Sequence, residues 1–172
     1  MNRMKKIACF IFATIMAASL HAQNKMLKIG QSAPEIAMPS PEGDTISLSS
    51  LKGKLVLVDF WASWCAPCVK EQPELKVLYD TYQGGMENSR FEIFGVSLDK
   101  DRHNWLKAIE RLNIAWLQVS DLMFWKSPVA GDYFIQDLPF NVLVDKQGNI
   151  AAINLHGKEL KDFIASYLGN ER

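Results

Sequence analysis

A chain of 172 residues, 48% hydrophobic and 22% charged, carries enough apolar mass for one packed core, which excludes a disordered or low-complexity protein. Its 19 basic and 19 acidic residues cancel to a formal net charge of 0, so nothing suggests a nucleic acid or another polyanion as partner. Three cysteines are too few for a small domain stapled by several bridges.

At the amino end, Arg3, Lys5 and Lys6 precede an apolar run from Ile7 to Leu20, and Leu20-His21-Ala22 offers a small residue before Gln23. This is the pattern of a secretory signal peptide over residues 1–22. The run is shorter than the roughly 20 apolar residues of a membrane span, and an uncleaved anchor is the alternative. Cys9 lies inside the segment and is discarded on cleavage, which leaves two cysteines. Without Arg3, Lys5 and Lys6 the chain has 16 basic and 19 acidic residues, a net charge of −3. Residues 23–28 read as a short linker and residues 29–172 as one domain.

Pro34–Met38 and Thr45–Leu48 flank Pro41-Glu42-Gly43-Asp44, which predicts a hairpin that extends the main sheet. Lys54–Trp61 is apolar and β-branched and reads as a buried strand. A helix pattern begins near Ala66 and reaches Tyr82 with Leu75, Leu78, Tyr79 and Tyr82 at helical spacing, a kink expected at Pro73 and an end at Gly84-Gly85. Phe91–Ser97 is a second buried strand and Arg102–Leu112 an amphipathic helix. Trp116–Ser120 reads as a third strand and Ser127–Phe134 as a short helix. Phe140–Asp145 and Asn149–Asn154 are strands around the Lys146-Gln147-Gly148 turn, and Leu160–Leu168 closes the chain as a helix. Strands alternating with helices argue an α/β sheet with an antiparallel hairpin near its end.

The chemistry concentrates at Trp64-Cys65-Ala66-Pro67-Cys68. A strand leads into this stretch and a helix follows, so Cys65 sits at a helix N-terminus. Free backbone N–H groups and the positive dipole end stabilise a thiolate there, which makes Cys65 the expected nucleophile. Cys68, one turn further in and more buried, is the expected resolving thiol. A zinc site would need four ligands, and after Cys68 only His103 and His156 follow, far apart in the chain. A bridge closing so short a loop constrains little of the unfolded chain, so the pair is functional rather than stabilising. Neither a metal nor a cofactor beyond this redox-active disulfide is required.

Phe60-Trp61-Ala62-Ser63-Trp64-Cys65-Ala66-Pro67-Cys68, followed far downstream by Leu138-Pro139, resembles a thioredoxin-fold protein. The hairpin before the fold, Glu71-Gln72-Pro73 after Cys68, and the extra strand and helix between Phe91 and Pro139 resemble the TlpA-like branch. That branch comprises extracytoplasmic thiol-disulfide oxidoreductases, apocytochrome c reductases among them. The resemblance covers about Ile29 to Leu168. It implies an α/β thioredoxin-like fold with a central mixed sheet flanked by helices, an N-terminal β-hairpin and an inserted strand–helix unit. It also implies a cis bond before Pro139, which then lies against the dithiol with Leu138 presenting backbone groups to an extended partner segment.

Two acids compete to exchange a proton with Cys68. The resemblance places a buried acid at Asp59, where an apolar strand makes ionisation costly and a raised pKa reasonable. It also places an acid beneath the site at Glu71, and which of the two serves Cys68 stays open. Ala66-Pro67 brings no polar group to the thiol, so its pKa is expected nearer thioredoxin's ~7 than the ~3.5 of a strong oxidant, which favours reduction or isomerisation. Trp64 is expected to shield Cys65 or touch a partner, and Trp61 to pack below. Trp105, Trp116, Trp125 and Phe124 read as core residues, His103 and His156 as solvated, and Asn141 as a surface residue of its strand.

The expected substrates are disulfide-bearing proteins, attacked by a monomer in the periplasm and reduced with electrons from a membrane thiol donor. A membrane-anchored or secreted form is the alternative location. A thiol peroxidase and a non-catalytic binding module are the alternative functions. Many peroxidases of related fold carry a proline and a hydroxyl residue before the nucleophile where this chain has Val58 and Ala62.

Overall fold

The computed structural model describes residues 26–82 and 89–169. The segment expected to be a signal peptide, with Cys9, and the helix end expected at Gly84-Gly85 lie outside the described residues. Strands β1 (Ala37–Pro39) and β2 (Thr45–Ser47) form the expected hairpin, turned at Gly43, whose φ of 101° is a conformation that favours glycine. The hairpin does not extend the main sheet. It forms a separate two-stranded sheet, and Met38 of β1 with the flanking Ile36 and Leu48 covers one face of the main one.

The main sheet has the order β5-β4-β3-β6-β7. Its strands are β3 (Leu55–Trp61), β4 (Phe91–Ser97), β5 (Leu117–Val119), β6 (Phe140–Val144) and β7 (Ile150–Ile153). β3, β4 and β5 run parallel, while β6 and β7 turn antiparallel, so the mixed sheet is the one expected. Every residue of β3 and β4 is buried, because helices cover one face and the hairpin with the segment around Tyr133 covers the other. That is why both strands read as continuous apolar runs rather than alternating ones.

Helices α1 (Ala66–Tyr82), α2 (Arg102–Arg111) and α4 (Gly157–Gly169) pack on the first face. Pro73 lies inside α1 without ending it, since a proline removes one hydrogen bond while the buried stripe Cys68, Gln72, Leu75 and Leu78 keeps the helix on the sheet. The short helix α3 spans only Pro128–Asp132, inside the longer stretch expected from sequence. Tyr133 follows it and donates its hydroxyl to the Pro34 carbonyl at 2.6 Å, tying this segment to the start of the domain.

The strand register sets four polar or small positions abreast across this apolar sheet: Asn141 of β6, Asp59 of β3, Gly95 of β4 and Gln118 of β5. Alternation along the strands turns all four toward the helix face. Gln118 fills the space above Gly95, and its Oε1 accepts from Trp61 Nε1 at 2.9 Å. A Cβ at position 95 would meet Gln118 Nε2 at 2.0 Å. Gly95→Ala is therefore expected to force the amide off Trp61 and to cost about 3 kcal/mol, roughly a 10 °C fall in Tm. Thermal unfolding checks this, and the Gly95→Ala, Gln118→Ala double variant should lose less than the sum of the two single losses.

Candidate active site

β3 ends at Trp61, and the chain turns through Ala62 and Ser63 before α1 begins. Ser63 anchors the turn: its N–H donates to Asp99 Oδ2 at 2.9 Å and its hydroxyl to Oδ1 at 2.6 Å. Ser97, at the end of β4, donates its hydroxyl to the same carboxylate at 2.8 Å. Asp99 is buried, so three hydrogen bonds to its two oxygens compensate its lost hydration. None of this network follows from local sequence pattern, because Ser63 and Asp99 are 36 positions apart.

Cys65 caps α1. Its carbonyl accepts from Val69 N–H at 3.0 Å, and its sulfur accepts from Cys68 N–H at 3.2 Å. Pro67 has no N–H to offer, so the third helical residue supplies the donor, the usual geometry of an N-cap side chain. The two cysteines form a disulfide with S–S 2.00 Å and Cα–Cα 5.3 Å. Cys65 is 5% exposed and Cys68 1%, the order expected from their places on the helix.

Asp59 faces α1 from the centre of the sheet and is 3% exposed. Gln72, four residues after Cys68 on the same buried stripe, donates Nε2 to Asp59 Oδ2 over a long 3.4 Å. Burial pushes the Asp59 carboxyl up to about 7, the charge of Glu71 adds to the rise, and the Gln72 contact opposes it. Asp59 is thus poised to gain or lose a proton near neutral pH.

Glu71 is not a free helix acid. Its Oε1 lies 2.8 Å from His156 Nδ1, and His156 Nε2 lies 3.0 Å from Asn154 Oδ1. His156, expected to be solvated, is half-buried and held between these two oxygens. Asn141, expected at the surface, is buried. Its Nδ2 donates to the Leu155 carbonyl at 2.6 Å and its Oδ1 accepts from Leu155 N–H at 3.1 Å. Asn141 therefore holds the residue beside His156 by both backbone groups. A clue existed in its position two residues after Pro139, on the face that Asp59 shares, but that face is defined only by the pairing register.

The Leu138–Pro139 peptide bond is cis. Phe140 pairs with Phe60, which puts Pro139 at the end of β3 where the turn to the cysteines starts. Pro139, Pro67, Lys70, Glu71 and His156 line one open cleft. On the other side Trp64 is 47% exposed, with Phe124 at 5.2 Å and Trp125 at 6.4 Å between ring centroids. Trp105 and Trp116 are core residues as expected. Trp125, expected with them, is instead 37% exposed. The 3-10 turn Phe124–Lys126, which buries none of its residues, carries it to the surface.

The family description AhpC/TSA matches residues 29–153. The chain belongs to the AhpC/TSA family. Within this family its relatives are disulfide enzymes. The thiol-disulfide oxidoreductase ResA of Bacillus thuringiensis (strain Al Hakam) is 31% identical over 147 residues, covering 86% of this chain and 80% of that protein. Among solved structures, the thioredoxin domain of a thiol-disulfide oxidoreductase from Bacteroides vulgatus is 36% identical with a TM-score of 0.75, covering 82% of this chain and 98% of that one. A thiol-disulfide oxidoreductase from Bacteroides fragilis NCTC 9343 is 34% identical with a TM-score of 0.74, covering 80% and 99%. This AhpC/TSA member is accordingly a thiol-disulfide oxidoreductase with a thioredoxin-like fold of the TlpA-like kind. At the two positions where a peroxidase pattern would place a proline and a hydroxyl, Val58 and Ala62 are fully buried apolar side chains.

Proposed function

We propose that the protein reduces or isomerises disulfides of extracytoplasmic proteins, with Cys65 as nucleophile, Cys68 as resolving thiol and Asp59 as proton acceptor. The observation that carries this reading is the surroundings of Cys65. One backbone N–H reaches its sulfur, and the spacer Ala66-Pro67 adds no side-chain donor or charge. A single donor and a helix end stabilise a thiolate moderately, which leaves the dithiol willing to give up its electrons.

In the proposed cycle the Cys65 thiolate attacks one sulfur of the client disulfide. A bond forms from Cys65 to that sulfur, and the other client sulfur leaves as a thiolate that takes a proton from water. Cys68 gives its proton to Asp59 and attacks Cys65, which releases the second client thiolate and closes the Cys65–Cys68 bond. The client gains two electrons and the enzyme loses two, with no cofactor beyond the disulfide. A thiol donor, proposed to be a membrane protein, restores the dithiol by the same exchange. Glu71 acts on Asp59 through its charge, Trp64 and the Leu138-Pro139 pair receive the client chain, and the protein works as a monomer. The location rests on the reading of residues 1–22 as a signal peptide, with a membrane-anchored or secreted form as the alternative. Among the described residues no helix is long and apolar enough to cross a membrane.

Equilibration with glutathione or dithiothreitol buffers tests the direction. A reduction potential more negative than about −180 mV is expected, and a value near −120 mV would make the protein an oxidant and overturn the proposal.

A further inference from the structure

Phe124 and Trp125 pack on Trp64, next to Cys65 in the chain, to form an aromatic wall, and the cycle proposed above gives these two added rings no task. We infer that this wall is the docking surface for a large apolar or aromatic side chain within two residues of the client cysteine, in an extended client segment. The inference rests on the oxidoreductase reading and deepens it by naming a substrate class.

The wall costs the fold something to keep. Phe124 has φ 57° and Leu122 also 57°, a left-handed conformation unfavourable for side chains of this size. Two large rings, Trp64 and Trp125, stand exposed with centroids 6.4 Å apart. Such strain and exposure persist only where surrounding contacts enforce them, and here a chain of hydrogen bonds does so. Asp121 accepts from Met123 N–H at 3.0 Å and from the Ser127 hydroxyl at 2.6 Å, which fixes both ends of the turn. Ser120 accepts from Leu122 N–H at 3.1 Å and donates to the Ser97 carbonyl at 2.9 Å. The Ser97 hydroxyl holds Asp99, which holds Ser63 beside Trp64. Both halves of the wall thus hang from one residue, Ser97, and the rings are set in place before any client arrives.

The occupant follows from the reaction. A mixed disulfide places a client sulfur on Cys65, and an extended chain advances about 3.4 Å per residue. A side chain one or two positions from the client cysteine is therefore within reach of the residue before Cys65, which is Trp64, and of the rings that pack on it. Aromatic faces reward an apolar or aromatic neighbour through both area and ring geometry. An unfolded chain offers such segments, because the residues beside its cysteines are extended and exposed.

Two synthetic peptides test this. Each carries a cysteine in mixed disulfide with glutathione, and they differ only in having Phe or Ser one residue after it. The reduced wild-type protein is expected to have a kcat/KM about tenfold higher for the Phe peptide. Trp125→Ala and Phe124→Asn should bring that ratio within twofold of one, the Asn being chosen because it accepts positive φ. Phe134→Asn, at an exposed aromatic lining a different cavity, should leave the ratio unchanged. A wild-type ratio near one, or a preference that survives in Trp125→Ala and Phe124→Asn, overturns the inference. So does a wild-type dimer that Trp125→Ala abolishes without changing the ratio, since the wall would then be covered by a second copy. Failure to reduce hydroxyethyl disulfide at all would instead sink the oxidoreductase reading itself.

Discussion

Cys68→Ser is expected to arrest the protein as a covalent adduct to its client, and Cys65→Ser to abolish both turnover and adduct. The asymmetry comes from the position of the two sulfurs on one helix. Cys65 caps α1 and has the Cys68 N–H at its sulfur, which is why it is the proposed nucleophile. Cys68 lies deeper, at 1% exposed, and its only accessible target is the Cys65 sulfur once that sulfur carries a client. Removing Cys68 leaves the first exchange intact and blocks the second, so the adduct accumulates. Expression of Cys68→Ser in cells, followed by acid trapping and non-reducing electrophoresis, should show bands that collapse with dithiothreitol and that are missing in Cys65→Ser. If the adducts form in Cys65→Ser and are missing in Cys68→Ser, the roles are reversed. If neither variant yields any, the substrates are not proteins.

Asp59→Asn is expected to slow the second exchange on the order of 10²-fold at pH 8 and to remove its rise with pH around 7. A carboxyl pushed up to about 7 becomes an acceptor for the Cys68 proton as pH passes that value, and an amide never does. Stopped-flow decay of a preformed adduct from pH 5 to 9 measures this, and an unchanged profile would transfer the role to Glu71. The same substitution should stabilise the fold in a pH-dependent way. The folded-state pKa of Asp59 is raised above the ordinary aspartate value of 3.8. Between pH 4 and 7 the folded protein therefore holds a proton that the unfolded chain has released. The stability associated with that proton falls as pH rises through this window and is gone above about 7. Asn carries no such penalty, so the variant should match wild type near pH 4 and exceed it by on the order of 4 kcal/mol at pH 8. Urea unfolding at the two pH values provides the comparison.

Much of this site is legible in the sequence because its parts are local. The runs Leu55–Trp61 and Phe91–Ser97 are mostly apolar, with one acid each, Asp59 and Glu92, and they become two adjacent inner strands. The helix after Cys65 and the turn at Gly43 follow from residues within a few positions of each other. What escapes is the polar support, since its partners meet only through strand register and chain return. Asn141 looks like a solvent-facing residue until β6 is paired with β3 and its alternation assigned. His156 looks solvated until the chain after β7 brings it back to Glu71, 85 positions away. Phe124 and Trp125 look like core because aromatic residues usually are, and the 3-10 turn that carries Trp125 to the surface has no periodicity to read. The hairpin β1–β2 is correctly placed by its turn, but turn chemistry says nothing about which sheet the strands join.

The placement of β3 has one more consequence. It is the middle strand of five, bonded to β4 on one side and β6 on the other, with all seven residues buried. Backbone amides so placed are released to solvent only when the whole domain opens, whereas chain ends and edge strands such as the three-residue β5 fray at little cost. Extended client segments of the kind proposed above would bring exposed strands that seek pairing partners. The enzyme's own reactive turn hangs from the central strand, which has no free edge to offer them.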